Sequence, residues 1–206
     1  MNYQEFKRTL GPFPVFSVRE VKKLIPSFDF RRLVEWQKKK YIQKLRNRFY
    51  TFTDIKTDEQ FLNYTANKIY SPSYISLETA LSYYGFIPEG VFQAFSCTTR
   101  KTETFDTPRG AFSYRHLKKE LFFGYRMVKW GHVYFAIAEP EKAVIDFLYL
   151  NPLIDNVTNA ESLRWNKISL KENIDAGRLD TYVQFINSAA LSKRVSVIKE
   201  VYLAYT

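Results

Sequence analysis

The chain has 206 residues, of which 46% are hydrophobic and 25% charged, so its composition predicts a packed core and excludes a disordered chain. No apolar run reaches the roughly 18–20 residues that a membrane span needs, and no signal peptide is recognisable. One cysteine, Cys97, excludes an internal disulfide, and two histidines, His116 and His132, argue against a zinc site. We therefore expect a cytoplasmic protein without a membrane partner, cofactor or metal.

The net charge of +10 is unevenly distributed along the chain. Residues 1–56 contain 14 Lys and Arg against 5 Asp and Glu, whereas residues 57–206 contain 17 against 16. A positive excess confined to one small segment is typical of a module that binds a polyanion. A solvated basic face without a ligand would have the same composition and stays open as an alternative.

The first two predicted elements are short helices. Residues 3–10 form the first, which Gly11 and Pro12 end. Ser17 and Glu20 have the spacing of a capping box, so a second helix begins after Ser17, and Pro26 ends it. The apolar residues expected on one face of this second helix are Val18, Val21, Leu24 and Ile25.

A third helix is predicted over residues 28–39, after a tight turn in which Ser27 or Asp29 can act as the N-cap. At about 100° per residue, one side of this helix is apolar and the other is mostly cationic. The side expected to face the core contains Phe30, Leu33, Val34 and Gln37. The side expected to face solvent contains Phe28, Arg31, Arg32, Glu35 and Lys39.

After Lys40 the apolar period changes to two, which predicts a β-hairpin that turns near Asn47. Helix, helix, turn, helix and hairpin are the elements of a winged helix-turn-helix domain, predicted over residues 1–56. Its third helix fits the major groove, where Arg31, Arg32 and Lys39 would reach base edges or nearby phosphates and Phe28 would touch a thymine methyl. The predicted DNA-binding residues are Arg19, Lys22, Lys23, Ser27, Phe28, Arg31, Arg32, Lys38, Lys39, Lys44, Arg46 and Arg48. A winged helix used only for protein contacts is the open alternative.

Residues 57–70 lose the positive excess and are predicted to be a hinge, followed by a second domain over residues 71–206. This domain is expected to begin with a helix that has Ser71 as its cap and ends at Gly85. Strand-like runs then begin at Val91, Glu103, Ala111, Leu121 and His132, and their local spacing favours an antiparallel meander. A helix follows near Pro140, and the chain is mostly helical from Asn151, with an unbroken amphipathic run over residues 180–205. The fold class is therefore α+β.

The chain contains no Gly-rich phosphate loop and no nucleophile elbow. Cys97 lies in an apolar strand, where a buried structural thiol is favoured over a nucleophile. The two histidines are expected to be ordinary half-buried side chains. We expect a protein that is not an enzyme.

One acidic group in the second domain admits two interpretations. Its members Asp106, Glu139 and Glu141, together with Lys142 and Asp146, suggest a metal-dependent nuclease or nucleic-acid-modifying enzyme. The competing interpretation, which we favour, is acidic stabilisation of a helix N-terminus. A separate basic group, Arg100, Lys101 and Arg109, lies near a predicted hairpin and would extend a nucleic-acid surface, bind an acidic partner, or simply be solvated.

The second domain resembles the AbiEi family, the antitoxins of bacterial type IV toxin–antitoxin (abortive-infection) systems. Three blocks carry the resemblance: "YSPSYISLETALSYYGFIPE" over residues 70–89, "CTTRKTETFDTPRGAFSYRHLKKELFFGY" over residues 97–125, and "AEPEKAVIDFLYL" over residues 138–150. The family also has an N-terminal winged helix. The region from Asn151 onwards contains none of these blocks.

The resemblance implies a transcriptional autorepressor that binds inverted repeats in its own promoter through the winged helix. It further implies an antitoxin that counteracts a nucleotidyltransferase-like toxin, as a functional partner without a stable complex. It supplies no catalytic residues for this chain.

Overall fold

The computed structural model describes residues 1–88 and 93–204, and the protein is α+β, as predicted. The N-terminal part contains three helices and three short strands. In chain order they are α1 (Tyr3–Leu10), β1 (Val15–Ser17), α2 (Val18–Leu24), α3 (Arg31–Lys38), β2 (Ile42–Arg46) and β3 (Phe49–Phe52). This is the predicted winged helix-turn-helix, with α2 and α3 as its helix-turn-helix pair and β2–β3 as its wing.

The wing belongs to an antiparallel sheet with strand order β1-β3-β2. The predicted hairpin turns at Asn47 and Arg48, and Arg48 adopts a left-handed φ of +68°. A β-bulge interrupts the pairing between Lys44 and Arg46. Strand β1 was not predicted, because a three-residue strand is too short to show an alternating pattern.

Both N-terminal helix starts are capping boxes. Asn2 caps α1 together with Glu5, and the predicted pair Ser17 and Glu20 caps α2. In each box the cap side chain accepts a backbone N–H and the glutamate accepts the cap residue's own N–H. These boxes fix where the two helices begin.

The core-facing side of α3 differs from the predicted one. Leu33 and Trp36 are buried, whereas Val34 is 54% exposed. Phe28 precedes the helix and is only 6% exposed, because its ring packs 5.1 Å from that of Phe6. Helix α3 begins at Arg31 instead of residue 28, and its inner face is centred between Leu33 and Trp36, which are three residues apart, so Val34 lies outside it. In α2, Leu24 is likewise 44% exposed.

The remaining chain contains a six-stranded sheet flanked by helices. Its first elements are α4 (Glu59–Ile69), β4 (Ser73–Ile75), α5 (Leu77–Tyr83), β5 (Gln93–Thr98), β6 (Glu103–Thr107) and β7 (Gly110–His116). A 3-10 turn (Lys119–Leu121), β8 (Tyr125–Trp130), β9 (Val133–Ala138) and α6 (Pro140–Leu150) follow. The chain then continues through α7 (Val157–Ser162), α8 (Lys167–Asn173), α9 (Ala176–Ile186), α10 (Ala189–Ile198) and a π-helical turn (Lys199–Leu203).

The order of the large sheet, β6-β7-β5-β4-β9-β8, corrects the predicted antiparallel meander. Strand β4 pairs with β9 in parallel, and β5 pairs with β7 in parallel, while the other pairs are antiparallel. Alternation along one strand reports which face is buried and says nothing about which strand lies beside it. The sheet is therefore mixed.

Two further segments differ from their predicted structure. The segment predicted as a hinge contains α4, whose buried residues include Phe61, Ala66 and Ile69. The helix predicted from Ser71 is instead the short strand β4 followed by α5, with a cis Ser71–Pro72 peptide bond. The division of the chain into domains at residues 57–70 stays a prediction.

The C-terminal part is helical, as predicted, but the run expected over residues 180–205 is divided at Asn187. This residue adopts the left-handed conformation that ends α9. The predicted strand run from Val91 lies partly outside the described residues, as do Glu89 and Tyr205. Among the described residues, no helix has the length and apolar character needed to cross a membrane.

Candidate nucleic-acid interface

The outer side of α3 is cationic because its inner side is fixed by two large apolar residues. Leu33 and Trp36 are 3% and 2% exposed, and the ring of Trp36 lies 4.8 Å from that of Phe6. This packing turns Arg31, Lys38 and Lys39 to solvent and leaves Arg32 half-buried beside them. The helix therefore presents a row of cations on the side opposite its core.

Two of these cations are held by neighbouring carboxylates. Asp29 accepts hydrogen bonds from the Arg31 guanidinium at 2.9 and 3.1 Å, and these bonds lower the pKa of Asp29. Lys39 donates to Glu35 at 2.7 Å and lowers the pKa of that carboxyl group. No described carboxylate forms a salt bridge with Arg32 or Lys38. Arg32 and Lys38 are therefore the cations of α3 with the most freedom to bind a ligand.

A shallow cavity of about 560 Å³ runs along this outer side of α3, between the Asp29–Arg31 pair and Lys38. Of the other predicted contacts, Arg19, Lys22, Lys23 and Ser27 on and after α2 are exposed. On the wing, Lys44 and Arg48 are exposed. These six residues stay predictions for contacts with phosphates or bases.

Phe28 and Arg46 lie elsewhere than predicted. Phe28 packs in the N-terminal core, where it cannot touch a thymine methyl. Arg46 donates to the carbonyl of Ile69 at 3.0 Å, and its Cζ lies 3.6 Å from the centroid of the Phe105 ring. The bulge before Arg46 re-aims this side chain from the wing surface towards the large sheet.

Arg109 joins the large sheet to the winged helix instead of extending a nucleic-acid surface. It lies at the β6–β7 turn, and its guanidinium donates five hydrogen bonds to residues 43–57. The acceptors are the Gln43 and Thr57 side chains and the carbonyls of Phe52, Thr53 and Ile55. All of these bonds measure 2.7–3.2 Å, which leaves Arg109 no free donor fork for another partner. Arg100 and Lys101 remain exposed.

A salt bridge provides a second connection between the winged helix and the large sheet. Lys68 of α4 donates to Glu20 of α2, and both side chains are about three-quarters buried. Burial by itself raises the pKa of Glu20, but hydrogen bonds from Lys68 and Ser17 outweigh it, so the net pKa is lowered. Glu20 therefore has two functions, since it also completes the capping box of α2.

The acidic residues considered for a nuclease do not form one site. Asp106 is exposed on β6, whereas Glu139 follows β9, and four strand spacings of about 4.8 Å separate these strands by about 19 Å. Within the described part of the chain, no three His, Cys, Asp or Glu side chains are arranged to hold a metal ion. No shared metal site therefore supports the nuclease interpretation.

The carboxylates at the start of α6 bind α9. Glu139 is the N-cap of α6 without a side-chain cap bond, and it accepts a hydrogen bond from Tyr182. Burial, followed by this bond, raises the pKa of Tyr182 to about 12. Glu141, only 1% exposed, accepts the backbone N–H of Asp175 at 2.7 Å. Both acids lie at the N-terminus of α6, as the favoured interpretation predicted, and their contacts also stabilise the packing of α6 against α9.

A buried polar network lies beneath the sheet and was not predicted. Lys142 and Asp146 form an ion pair at 0% and 1% exposure. Asp146 also accepts hydrogen bonds from Tyr74 and Ser76, both at 2.8 Å. The i,i+4 spacing of the pair on one helix was the available sequence signal. Its burial was not visible, because charged residues usually lie at the surface.

The lone thiol and the two histidines do not form a catalytic group. Cys97 is fully buried, and this burial raises the pKa of its thiol, as expected for a structural residue. His116 and His132 are both exposed, which corrects the expectation of half-buried side chains. His116 ends β7 and His132 lies in the β8–β9 turn, so the structure does not pair them.

Comparison with protein-family models found no match for the chain, and comparison with curated proteins found none either.

Proposed function

We propose that the protein binds double-stranded DNA, with α3 in the major groove and the β2–β3 wing against flanking phosphates. The observation that carries this proposal is the cationic outer side of α3, held outward by the burial of Leu33 and Trp36. The major groove is wide enough for one helix, and Arg and Lys are the side chains that most often bind guanine there. Exposed cations on α2 and the wing flank this helix and suit phosphate contacts.

The regulatory and antitoxin parts of the proposal come from the resemblance to the AbiEi family. The protein would repress its own promoter by binding inverted repeats. It would also counteract a nucleotidyltransferase-like toxin without forming a stable complex, as a cytoplasmic protein that is not itself an enzyme. The uneven charge supports a division of work between the basic N-terminal part and the nearly neutral remainder.

DNA binding is tested by a mobility-shift titration of the full chain on its upstream promoter at several salt concentrations. If about five phosphates are neutralised, the logarithm of the binding constant should fall against log salt with a slope of about −4 to −5. The double variant R32A/K38A should bind more weakly than the control K118A/K119A, which removes two exposed lysines outside the winged helix. Equal binding by the two variants would reject α3 as the DNA-contacting helix.

The antitoxin activity is tested separately, by expressing the chain together with a nucleotidyltransferase-like protein encoded beside it. Growth rescue by the full chain is the expected result. The R32A/K38A variant should still rescue growth when both genes are expressed from unrelated promoters, because rescue would not require repression. Absence of rescue by the parent chain would reject the antitoxin proposal and leave DNA binding unaffected.

A further inference from the structure

A basic cleft lies between the wing and the edge of the large sheet, apart from the outer side of α3. Its volume is about 780 Å³, within the range of pockets that hold small ligands. The residues that define this cleft, called here the arginine cleft, are Arg46, Arg100, Lys101, Thr102, Glu103 and His116. Three cations thus face a single carboxylate.

Two guanidinium groups in the arginine cleft are arranged around one aromatic ring. The Cζ of Arg100 lies 4.3 Å from the centroid of Tyr70, and that of Arg46 lies 5.3 Å from the same centroid. Both guanidinium carbons therefore lie within 5.3 Å of the centre of the same ring. Each also donates to a backbone carbonyl, Arg100 to Ser71 at 3.2 Å and Arg46 to Ile69 at 3.0 Å.

These contacts use only part of each arginine. A guanidinium has five N–H donors, and the described structure gives Arg46 and Arg100 one side-chain hydrogen bond each. No described carboxylate forms a salt bridge with either arginine or with Lys101. The cleft therefore retains unneutralised positive charge and unused donors in a fixed arrangement.

The loop that carries Arg100 and Lys101 is held in place by its own hydrogen bonds. Tyr70 donates to the Lys101 carbonyl at 2.9 Å, and the Arg100 N–H donates to Thr98 at 3.1 Å. His116 contributes its backbone N–H to Thr102 at 3.1 Å, and its ring Nδ1 lies 2.8 Å from the Arg100 carbonyl oxygen. A cleft held in this way loses little conformational entropy when an anion binds.

We propose that the arginine cleft binds a small molecule with a diphosphate or triphosphate group, such as a nucleotide. Arginine forks match phosphate oxygens in a bidentate geometry, and Lys101 adds a point charge beside them. The half-buried Arg46 and the exposed Arg100 lie against one ring, and this close spacing suits a small ligand with adjacent phosphates better than the extended backbone of a duplex. This site does not depend on DNA binding by α3.

The test is calorimetric titration of the full chain with inorganic pyrophosphate and, separately, with ATP at low ionic strength. Both should bind saturably at one site, and R100A should weaken binding about tenfold or more, as expected for lost charge-assisted hydrogen bonds. The matched control is R115A, which removes an exposed arginine from the adjacent strand β7 outside the cleft and should change binding less than twofold.

Two further variants, R100K and K101A, separate lost binding from lost folding, because their thermal melting is compared with that of the parent chain. R100K keeps the charge and loses the fork, so it should bind more tightly than R100A and less tightly than the parent. Absence of saturable binding by both pyrophosphate and ATP would overturn the proposal, as would equal losses in R100A and R115A. It would also be overturned if R100A weakened only DNA binding, since the cleft would then belong to the duplex interface.

Discussion

At the scale of single residues, Arg32 is the side chain whose chemistry most directly tests DNA reading. It lies on the outer side of α3 and, unlike Arg31, forms no salt bridge with a described carboxylate. If it binds a guanine, R32A should cost about 1–3 kcal/mol of binding free energy on the promoter and relax the preference at one base pair. Mobility shifts on promoter and scrambled duplexes measure both quantities.

The control for this prediction is R32K, which keeps the charge and loses the bidentate fork. A base-reading arginine requires R32K to lose sequence preference while it keeps much of its affinity. If both variants weaken promoter and scrambled DNA to the same extent, Arg32 contacts a phosphate only.

The buried pair of Lys142 and Asp146 is the second residue-scale test. Asp146 neutralises a fully buried ammonium group and accepts two hydroxyl hydrogen bonds. D146N would leave Lys142 buried without a counter-charge, and we expect it to lower the free energy of unfolding by about 3–5 kcal/mol. Urea denaturation provides the measurement.

A double variant separates lost charge from lost packing at this site. In K142M/D146L both charges are replaced by apolar side chains, so much of the stability lost in D146N should return. If D146N unfolds at the same urea concentration as the parent chain, the pair contributes no more to stability than an exposed salt bridge.

At the scale of secondary-structure elements, the sequence predicted the features that depend on residues adjacent in the chain. The capping box of α2, the wing turn at Asn47 and the proline at the start of α6 are decided by neighbouring residues, and the structure has each of them. Strand partners in the large sheet depend on residues far apart in the chain. The predicted antiparallel meander therefore lacked β4 and missed the parallel pairs β4–β9 and β5–β7.

The same contrast between local signals and long-range contacts applies to the residues of the candidate interface. Arg31, Lys38 and Lys39 are exposed as predicted, because helical periodicity around Leu33 decides their direction. Arg46 and Arg109 are directed by tertiary contacts, with Phe105 and Ile69 for the first and with the end of β3 for the second. Neither contact has a signal in the local sequence.

Helices α2 and α4 are joined by Glu20 and Lys68, which makes their packing pH-dependent. The folded chain lowers the pKa of Glu20 below its ordinary value of 4.5. Stability from this group is therefore fully present above about pH 4.5 and is lost as pH falls through the lower, folded-state pKa. E20Q should remove this part of the acid sensitivity, and urea denaturation between pH 3 and about pH 6 would measure the difference.

The control for the acid prediction is E120Q, which changes an exposed glutamate of the 3-10 turn without a salt bridge among the described residues. E120Q should keep the parent pH dependence. Parallel stability curves for E20Q and the parent chain across this range would show that the Glu20–Lys68 bridge contributes nothing to acid sensitivity.

At the scale of the whole molecule, the β6–β7 turn connects the winged helix to the large sheet. Gly110 allows the close approach, because a Cβ at this position would lie 2.9 Å from Leu62 of α4, and its φ of +146° disfavours other residues. The preceding Arg109 binds three carbonyls at and just after the end of β3. Arg109 therefore adds to the Glu20–Lys68 bridge and the Arg46 contacts in fixing the orientation of α3 relative to the large sheet.

Replacing Arg109 should loosen this connection. R109A removes charge-assisted hydrogen bonds and leaves partly buried carbonyls of residues 52–55 without their donor, so we expect a loss of about 2–4 kcal/mol in unfolding free energy. R115A, an exposed arginine on the same hairpin, should change it by less than about 0.5 kcal/mol. Hydrogen exchange should become faster at residues 49–57 in R109A, while the buried strand β5 keeps its protection because its hydrogen bonds are to β4 and β7. Equal stability of R109A and R115A, with unchanged exchange at residues 49–57, would mean that the two parts are held together without a contribution from Arg109.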